Sequence, residues 1–266
     1  MNSTVGFIGT GNMGSALARA VCQSLPPQQV VLANRTPEKA QKLATELGCR
    51  FGSNQDAARC DYVFLGVKPQ MMAGMLSEIR STLSARTDRF ILVSMAAALT
   101  CAQIQEMAGM SCPVIRIMPN TPAAIGQGVV QVCSLDTRQE DVDVFLSMIA
   151  HAGLVDLIPE PLMDAASAVS GCGPAFAFLF LEALADGGVA CGLPRDKALS
   201  YAAQMLSGSA NLVLKSGQHP GALKDAVCSP GGTTIQGVRA LEEHGFRAAA
   251  MDAVIAAYQK TRTLGK

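Results

Sequence analysis

The sequence predicts an α/β domain built on a parallel sheet, followed by an all-α domain. Continuous apolar runs alternate with helical patterns up to about residue 158. Continuous apolarity is typical of strands buried on both faces, and strand–helix alternation indicates a parallel sheet with helices on both sides. After the Pro-Glu-Pro at residues 159–161 only helical patterns follow. We therefore predict domains at residues 1–159 and 160–266.

The predicted elements follow in chain order. Strands are expected at residues 5–9, 30–33, 62–67, 90–94, 114–118, 129–133 and 154–158. Helices of the first part are expected at residues 12–24, 37–47, 70–83 and 138–150. Those of the second part are expected at residues 162–169, 174–191, 194–215, 220–227, 233–243 and 246–264. Pro174, Pro194 and Pro220 lie where helices usually begin.

Composition narrows the classes of function. Only 16% of the 266 residues are charged, against about 25% in an ordinary soluble domain, so we expect another subunit to cover part of the surface. The 21 basic and 21 acidic residues cancel, and there is no Trp. This argues against a nucleic-acid groove and against a basic membrane-binding face. The longest uncharged apolar run, residues 171–181, is too short to span a membrane.

The nine cysteines are scattered, odd in number and without a C-x-x-C pair. A secreted disulfide framework would be even and dense, so we expect free, mostly buried thiols in a reducing cytosol. The N-terminus shows no signal-peptide pattern. The expected location is therefore the cytoplasm.

The helix that follows Pro174 is apolar on every side over residues 175–181. Such a helix must be buried all round. One interpretation is the central helix of a single-chain bundle. The other, which the small size of this domain favours, is a helix at the centre of an intertwined dimer.

A glycine motif follows the first predicted strand, which contains Ile8. Its six residues are Gly9, Thr10, Gly11, Asn12, Met13 and Gly14. A G-x-G-x-x-G between a strand and a helix is the dinucleotide-binding fingerprint of a Rossmann-like domain. The glycines permit a tight turn, close approach of a pyrophosphate and close helix packing, and the helix N-terminus attracts the phosphates.

The end of the second strand indicates which nucleotide is preferred. NAD enzymes place an acid there for the ribose 2′-hydroxyl, whereas this chain has Asn34, Arg35 and Thr36. Arg35 can pair with a 2′-phosphate, which predicts NADPH as the cofactor. The alternative is that Arg35 lies in solvent and NADH is accepted as well.

Later strand ends are expected to line the same site, because ligands collect at the carboxyl ends of parallel strands. These segments contain Val67, Lys68, Pro69, Met95, Ala96, Ala97 and Asn120. The alternative for Asn120 is that it only forms a turn, since Asn and Pro are common turn residues.

A second glycine segment precedes the helix predicted at 233–243. It contains Ser229, Gly231, Gly232, Thr233 and Thr234. Backbone N–H groups at such a helix start suit a small carboxylate. The alternative is a plain helix cap with Thr233 as the capping residue. The three histidines show no ligand spacing and there is no H-E-x-x-H or Cys/His cluster, so we expect no catalytic metal.

Taken together, the motifs resemble the pyrroline-5-carboxylate reductase family over nearly the whole chain. The most specific segment is Asp-Ala-Val-Cys-Ser-Pro-Gly-Gly-Thr-Thr-Ile at residues 225–235. The resemblance implies that NAD(P)H delivers a hydride to the C=N carbon of 1-pyrroline-5-carboxylate, giving L-proline. It also implies a homodimer whose subunits share the active site, and assembly into decamers.

The resemblance also implies roles for single residues. The segment 229–234 would bind the substrate carboxylate, and Thr234 would hydrogen-bond the ring nitrogen. Glu160 would lie near that nitrogen and favour its positive form, and Asn54 would contact the adenosine end of the cofactor. Cys172, Phe176 and Ala226 depart from residues common in the family. Two alternatives are another imine or 3-hydroxyacid reductase and a non-catalytic NADP-sensing protein.

Overall fold

The computed structural model describes residues 3–264. Eight strands form one sheet: β1 Val5–Ile8, β2 Val30–Ala33, β3 Arg50–Phe51, β4 Tyr62–Leu65, β5 Ile91–Ser94, β6 Val114–Pro119, β7 Gly128–Leu135 and β8 Gly153–Leu157. The helices between them are α1 Asn12–Ser24, α2 Pro37–Leu47, α3 Asn54–Ala58, α4 Met72–Ser84, α5 Cys101–Ala108 and α6 Gln139–Ile149. After β8 the chain continues with α7 Met163–Ser170, α8 Gly173–Ala190, α9 Arg195–Ser216, α10 Pro220–Ala226, α11 Thr233–Glu243 and α12 Phe246–Leu264.

The strand order is β3-β2-β1-β4-β5-β6-β7-β8. Strands up to β3 are added on one side of β1, and strands from β4 onward are added on the other side. The strand order therefore reverses between β1 and β4, which leaves a crevice at the carboxyl ends of these two strands. The strands from β3 to β6 pair in parallel. The predicted α/β class and parallel sheet are thus confirmed for this part.

One pairing departs from the expected parallel sheet. β7 runs antiparallel to β6, with Val114 opposite Leu135 and Pro119 opposite Val130. A single 3-10 turn, Thr121–Ile125, joins the two strands. A parallel pair needs a crossover of a dozen or more residues, so this short connection imposes the reversal.

Two apolar cores lie on the two faces of the sheet. Along β1 and β4, alternate side chains enter opposite cores: Phe7 and Phe64 belong to one, Ile8 and Leu65 to the other. The first core also holds buried residues of α1, α2 and α6, and the second holds those of α4 and α5. This double coverage is the reason that the strands read as continuous apolar runs.

Three short elements were not predicted. The two residues of β3 are both exposed, so they carry no apolar signal, and α3 has only five residues. The helix α5 begins with a capping box in which Thr100 and Gln103 exchange bonds. That pattern, a threonine followed three residues later by a glutamine, is a readable helix start.

The chain divides into two compact units. Gly173–Ala256 forms one, and the other contains the chain up to Cys172 together with the segment from Ala257. The sheet unit therefore includes α7, because α7 packs against β7. The predicted domain boundary after residue 159 stays a prediction.

The helix α8 has one fully buried residue within the part of the chain that the structure describes. Of its residues Ala185 is buried, while Phe178 and Leu179 are 63% and 69% exposed. The single-chain bundle interpretation of this helix is therefore wrong, and its apolar surface needs another partner. Residues 160–190 are also long and apolar enough to cross a membrane by length and composition alone. The expectation that no stretch is long enough to span a membrane is corrected on length and composition, because the helical stretch continues beyond the uncharged run that ends at Leu181.

Candidate active site

The glycine turn after β1 is sterically demanding at two positions and open at a third. Gly9 has φ +103°, and a Cβ there would lie 2.5 Å from the Gly66 carbonyl oxygen. A Cβ on Gly14 would lie 2.2 Å from the Gly9 carbonyl oxygen. At Gly11, no described atom apart from its chain neighbours lies within 4 Å of the Cβ position. Gly9 and Gly14 thus serve backbone packing, and Gly11 leaves room for a ligand to approach the backbone.

A cleft of about 1140 Å³ opens beside this turn, at the carboxyl ends of β1, β2 and β4. Nine of the predicted cofactor residues line it: Ile8, Gly9, Gly11, Asn34, Arg35, Thr36, Asn54, Val67 and Lys68. Several other lining residues were not predicted from the sequence, including Lys39, Phe51, Ser53, Gly66, Met71 and Glu78. Lys39 had a readable signal, since it lies on the first turns of α2, four residues after Arg35.

Asn34 organises the polar end of the cleft. Its Oδ1 accepts the Thr10 backbone N–H at 3.1 Å, and its Nδ2 donates to the Thr36 carbonyl oxygen at 3.0 Å. Asn34 therefore ties the glycine turn to the end of β2. Arg35 and Lys39 are both exposed, and among residues 3–264 neither has an ion-pair partner. Two free cations thus line the cleft.

The cleft fits a phosphorylated dinucleotide. The open space at Gly11 lies beside the start of α1, whose first N–H groups have no intrahelical partner. These donors suit a pyrophosphate, and Arg35 with Lys39 suits a further phosphate.

The remaining predicted cofactor residues do not line this cleft: Thr10, Asn12, Met13, Gly14, Pro69, Met95, Ala96, Ala97 and Asn120. Asn120 is 7% exposed, and its amide is used inside the fold. Its Nδ2 donates to the Ser170 carbonyl oxygen at 2.9 Å, and its Oδ1 accepts the Val129 N–H at the same distance. These bonds join the residue after β6 to β7 and α7, and the contact of Asn120 with the cofactor stays a prediction.

Glu160 belongs to a charged cluster around the buried Arg116, whose side chain is 3% exposed. The Arg116 guanidinium lies 3.4 Å from Glu160 Oε1 and donates to Asp164 Oδ1 at 3.0 Å. Glu160 Oε1 also accepts the Cys101 backbone N–H at 2.8 Å. One guanidinium and two carboxylates leave the cluster with one net negative charge.

Two buried thiols lie against this cluster. The ligand atoms of Cys101, Cys133 and Glu160 lie within 4.8 Å of one another, a grouping that sequence spacing did not reveal. The hydrogen bond to Cys133, burial and the charge of Glu160 together raise the pKa of the Cys101 thiol. Arg116 supplies positive charge beside Glu160, and the expected absence of a catalytic metal stays a prediction.

The second glycine segment starts α11. Gly232, not Thr233, is the N-cap residue, and no side chain caps the helix. The alternative in which Thr233 caps the helix is therefore wrong. Gly231 has φ +69°, and the Gly232 N–H donates to the Ser229 carbonyl oxygen at 3.0 Å. Thr233 and Thr234 are exposed in the first turn, where backbone N–H groups are free to bind an anion.

The doubly wound sheet and its glycine-lined cleft define a Rossmann-type dinucleotide-binding oxidoreductase. Residues 4–98 match the family model described as NADP oxidoreductase, coenzyme F420-dependent. Residues 160–264 match the model described as pyrroline-5-carboxylate reductase dimerisation. The chain belongs to the pyrroline-5-carboxylate reductase family.

Full-length relatives support this membership. The chain is 42% identical over 272 residues to the pyrroline-5-carboxylate reductase of Escherichia coli, with 100% of both chains covered. It is also 42% identical to that of Arabidopsis thaliana, with 98% of this chain and 95% of the relative covered.

Two solved structures share the whole fold. One is a Plasmodium falciparum pyrroline carboxylate reductase with NADP bound, at 33% identity, TM-score 0.88 and coverage of 100% of this chain and 99% of the other. The other is a Coxiella burnetii pyrroline-5-carboxylate reductase, at 28% identity and TM-score 0.91, with both chains fully covered.

Proposed function

We propose that this protein reduces 1-pyrroline-5-carboxylate to L-proline, with NADPH as the preferred cofactor and NADH as a possible second one. The observation that carries the proposal is the pairing, on one chain, of the dinucleotide cleft with the Ser229–Thr234 glycine segment. Relatives named for this activity match the chain from end to end. When bound, the cofactor supplies the hydride that adds to the C=N carbon.

The residues of the cleft bind and orient the cofactor. The N–H groups at the start of α1 receive the pyrophosphate, and Arg35 with Lys39 receives the 2′-phosphate. Met95, Ala96 and Ala97 follow β5, where small side chains allow a nicotinamide to approach the backbone. Holding the reactants in one geometry is the main contribution that the protein makes to such a reaction.

The start of α11 binds the substrate. Its free N–H groups, with Ser229, Gly231, Gly232 and Thr233, anchor the carboxylate, and the Thr234 hydroxyl bonds the ring nitrogen. A protonated imine already accepts a hydride readily, so no strong acid is needed. The net negative charge around Glu160 favours that positive form.

The site is completed in a homodimer, in which one subunit's helical unit meets its partner's nucleotide unit. The exposed apolar surface of α8 and the match of residues 160–264 to a dimerisation model support this proposal. We further propose that dimers assemble into decamers in the cytoplasm, with neither nucleic acid nor membrane as a partner. Light scattering coupled to size exclusion measures the number of subunits, and a monomer would contradict the shared site.

The test of function is NADPH oxidation with DL-pyrroline-5-carboxylate, with L-proline identified as the product and NADH assayed in parallel. Turnover of six-membered imines or keto acids alone would indicate a different reductase. NADPH binding without any turnover would indicate the sensing alternative. Thr234→Ala should lower turnover and leave NADPH binding unchanged; normal turnover would remove Thr234 from the mechanism.

A further inference from the structure

A pair of thiols lies outside the dinucleotide cleft, between the last turns of α1 and α2. The Sγ atoms of Cys22 and Cys49 are 3.2 Å apart, and both residues are half-buried. Cys22 lies in the last turn of α1, and Cys49 follows Gly48, the residue at which α2 ends. The function described above gives these thiols no role.

The backbone on both sides of the pair is held in place. One helical turn earlier, Arg19 and Glu46 form two hydrogen bonds of 2.5 and 2.9 Å between the same two helices. Gly48 has φ +73° and turns the chain, after which the Cys49 N–H donates to the Ala44 carbonyl oxygen at 2.9 Å. These contacts between α1 and α2, and the turn at Gly48, hold the two thiols next to each other.

We propose that Cys22 and Cys49 form a reversible disulfide when the protein meets a hydroperoxide. An S–S bond is about 2.05 Å long, so the two sulfur atoms need to approach by roughly 1 Å. Small rotations of the two side chains can supply a movement of this size, and we expect the backbone to change little.

The local charges favour Cys22 as the attacking thiol. A hydrogen bond from the Cys49 thiol, opposed by partial burial and aided by the Arg19 guanidinium, lowers the pKa of Cys22. The Cys22 thiolate attacks one peroxide oxygen and breaks the O–O bond, which gives a sulfenic acid and hydroxide, and the proton that Cys22 released converts this hydroxide to water. The Cys49 sulfur then displaces hydroxide from the sulfenic sulfur, and the Cys49 proton leaves with it as a second water. Overall, two thiols and hydrogen peroxide give one disulfide and two waters.

The crosslink would enclose the segment that binds the adenosine end of the cofactor. Residues 22–49 contain β2 and the Asn34-Arg35-Thr36 segment that lines the cleft. Closing this loop restricts the unfolded chain. We therefore expect the oxidised protein to unfold at a higher temperature and to bind NADPH with an unchanged Kd.

The first experiment locates the bond in the full-length protein. After treatment with hydrogen peroxide and alkylation, trypsin releases residues 20–35 with Cys22 and residues 43–50 with Cys49, each holding a single cysteine. We expect these two peptides to be joined before dithiothreitol and separate after it. Free alkylated peptides, sulfinic acid at Cys22, or a link between residues 90–116 and 117–138 instead would overturn the proposal.

The second experiment compares oxidised and reduced protein in matched variants. Wild type and Cys191→Ser, which removes an exposed thiol of the other unit, should gain roughly 5 °C or more in Tm on oxidation. Cys22→Ser and Cys49→Ser should gain nothing. An equal gain in Cys22→Ser, or no gain in wild type, would contradict the proposal. NADPH binding by fluorescence provides the control that the cleft is intact.

Discussion

The Thr10 backbone N–H donates to Asn34 Oδ1 at 3.1 Å, and this bond joins the glycine turn after β1 to the end of β2. An NAD enzyme uses an acid at the end of β2 for the ribose. Here the neutral amide is occupied by the backbone, and we propose that the cations Arg35 and Lys39 beside it recognise the 2′-phosphate.

Arg35→Ala should therefore raise the KM for NADPH by about 10- to 100-fold, the cost of losing a charged hydrogen bond. The KM for NADH should change little, because NADH has no 2′-phosphate. Steady-state kinetics with both cofactors measure the change. Lys42→Ala removes another exposed cation of α2 that does not line the cleft, and should change neither value. Equal effects of Arg35→Ala on both cofactors would contradict this role.

Alanine at two glycines of the motif should have opposite effects. Gly11→Ala points a methyl group into open space, so we expect normal stability and NADPH binding weakened by roughly tenfold or more through steric exclusion. Gly14→Ala places a carbon 2.2 Å from a carbonyl oxygen, so it should lower the Tm or prevent folding. Thermal unfolding and calorimetric titration distinguish the two. Normal NADPH affinity in a folded Gly11→Ala variant would remove that glycine from the site.

Asp164→Ala should destabilise the sheet unit by about 1–3 kcal/mol, because it leaves the buried Arg116 with a weaker set of partners. Denaturant unfolding provides the measurement. Glu46→Ala is a matched control in the same unit, since it breaks the half-exposed pair with Arg19 and should cost much less stability. Equal losses in both variants would mean that burial of Arg116 does not matter.

We expect the interactions of Asp141 to stabilise the folded protein less at acidic pH than at neutral pH. Burial raises its pKa, but hydrogen bonds from Arg89 and from the Arg138 backbone N–H outweigh burial and lower the pKa below its usual 3.8. As the pH falls, the unfolded state therefore binds a proton to Asp141 before the folded state does. The contribution of Asp141 to the free energy of unfolding is complete above the usual pKa. It is lost as the pH falls through the folded pKa. The stability difference between wild type and Asp141→Asn should shrink from neutral pH to below about pH 4. A constant difference would contradict this linkage.

Two buried thiols should resist alkylation while the protein is folded. Burial raises the pKa of Cys60 to about 11 and that of Cys112 to about 11. Against an ordinary pKa of 9.0, each holds about a hundredfold less thiolate near pH 8. Iodoacetamide labelling followed by mass spectrometry should modify the exposed Cys191 first. Rapid labelling of Cys60 or Cys112 would show that their burial is lost in solution.

The parts of the fold that the sequence predicts are those with a repeating local pattern. Strands buried on both faces leave continuous apolar runs, and long helices leave their period and their caps, so these elements were predicted to within a few residues. The two exposed residues of β3 leave no such pattern, and neither does the antiparallel pairing of β7. That pairing depends on the length of the connection after Pro119.

The glycine motif and the segment that begins at Ser229 were predictable for a similar reason, since each is a local backbone requirement written in consecutive residues. The sequence by itself therefore determined the α/β class, the dinucleotide fingerprint and the family resemblance. Only the tertiary structure decided that Asn34 bonds Thr10, that Glu160 pairs with Arg116, and that Cys22 meets Cys49. These contacts join residues far apart in the chain, and their distances depend on how the helices pack against the sheet.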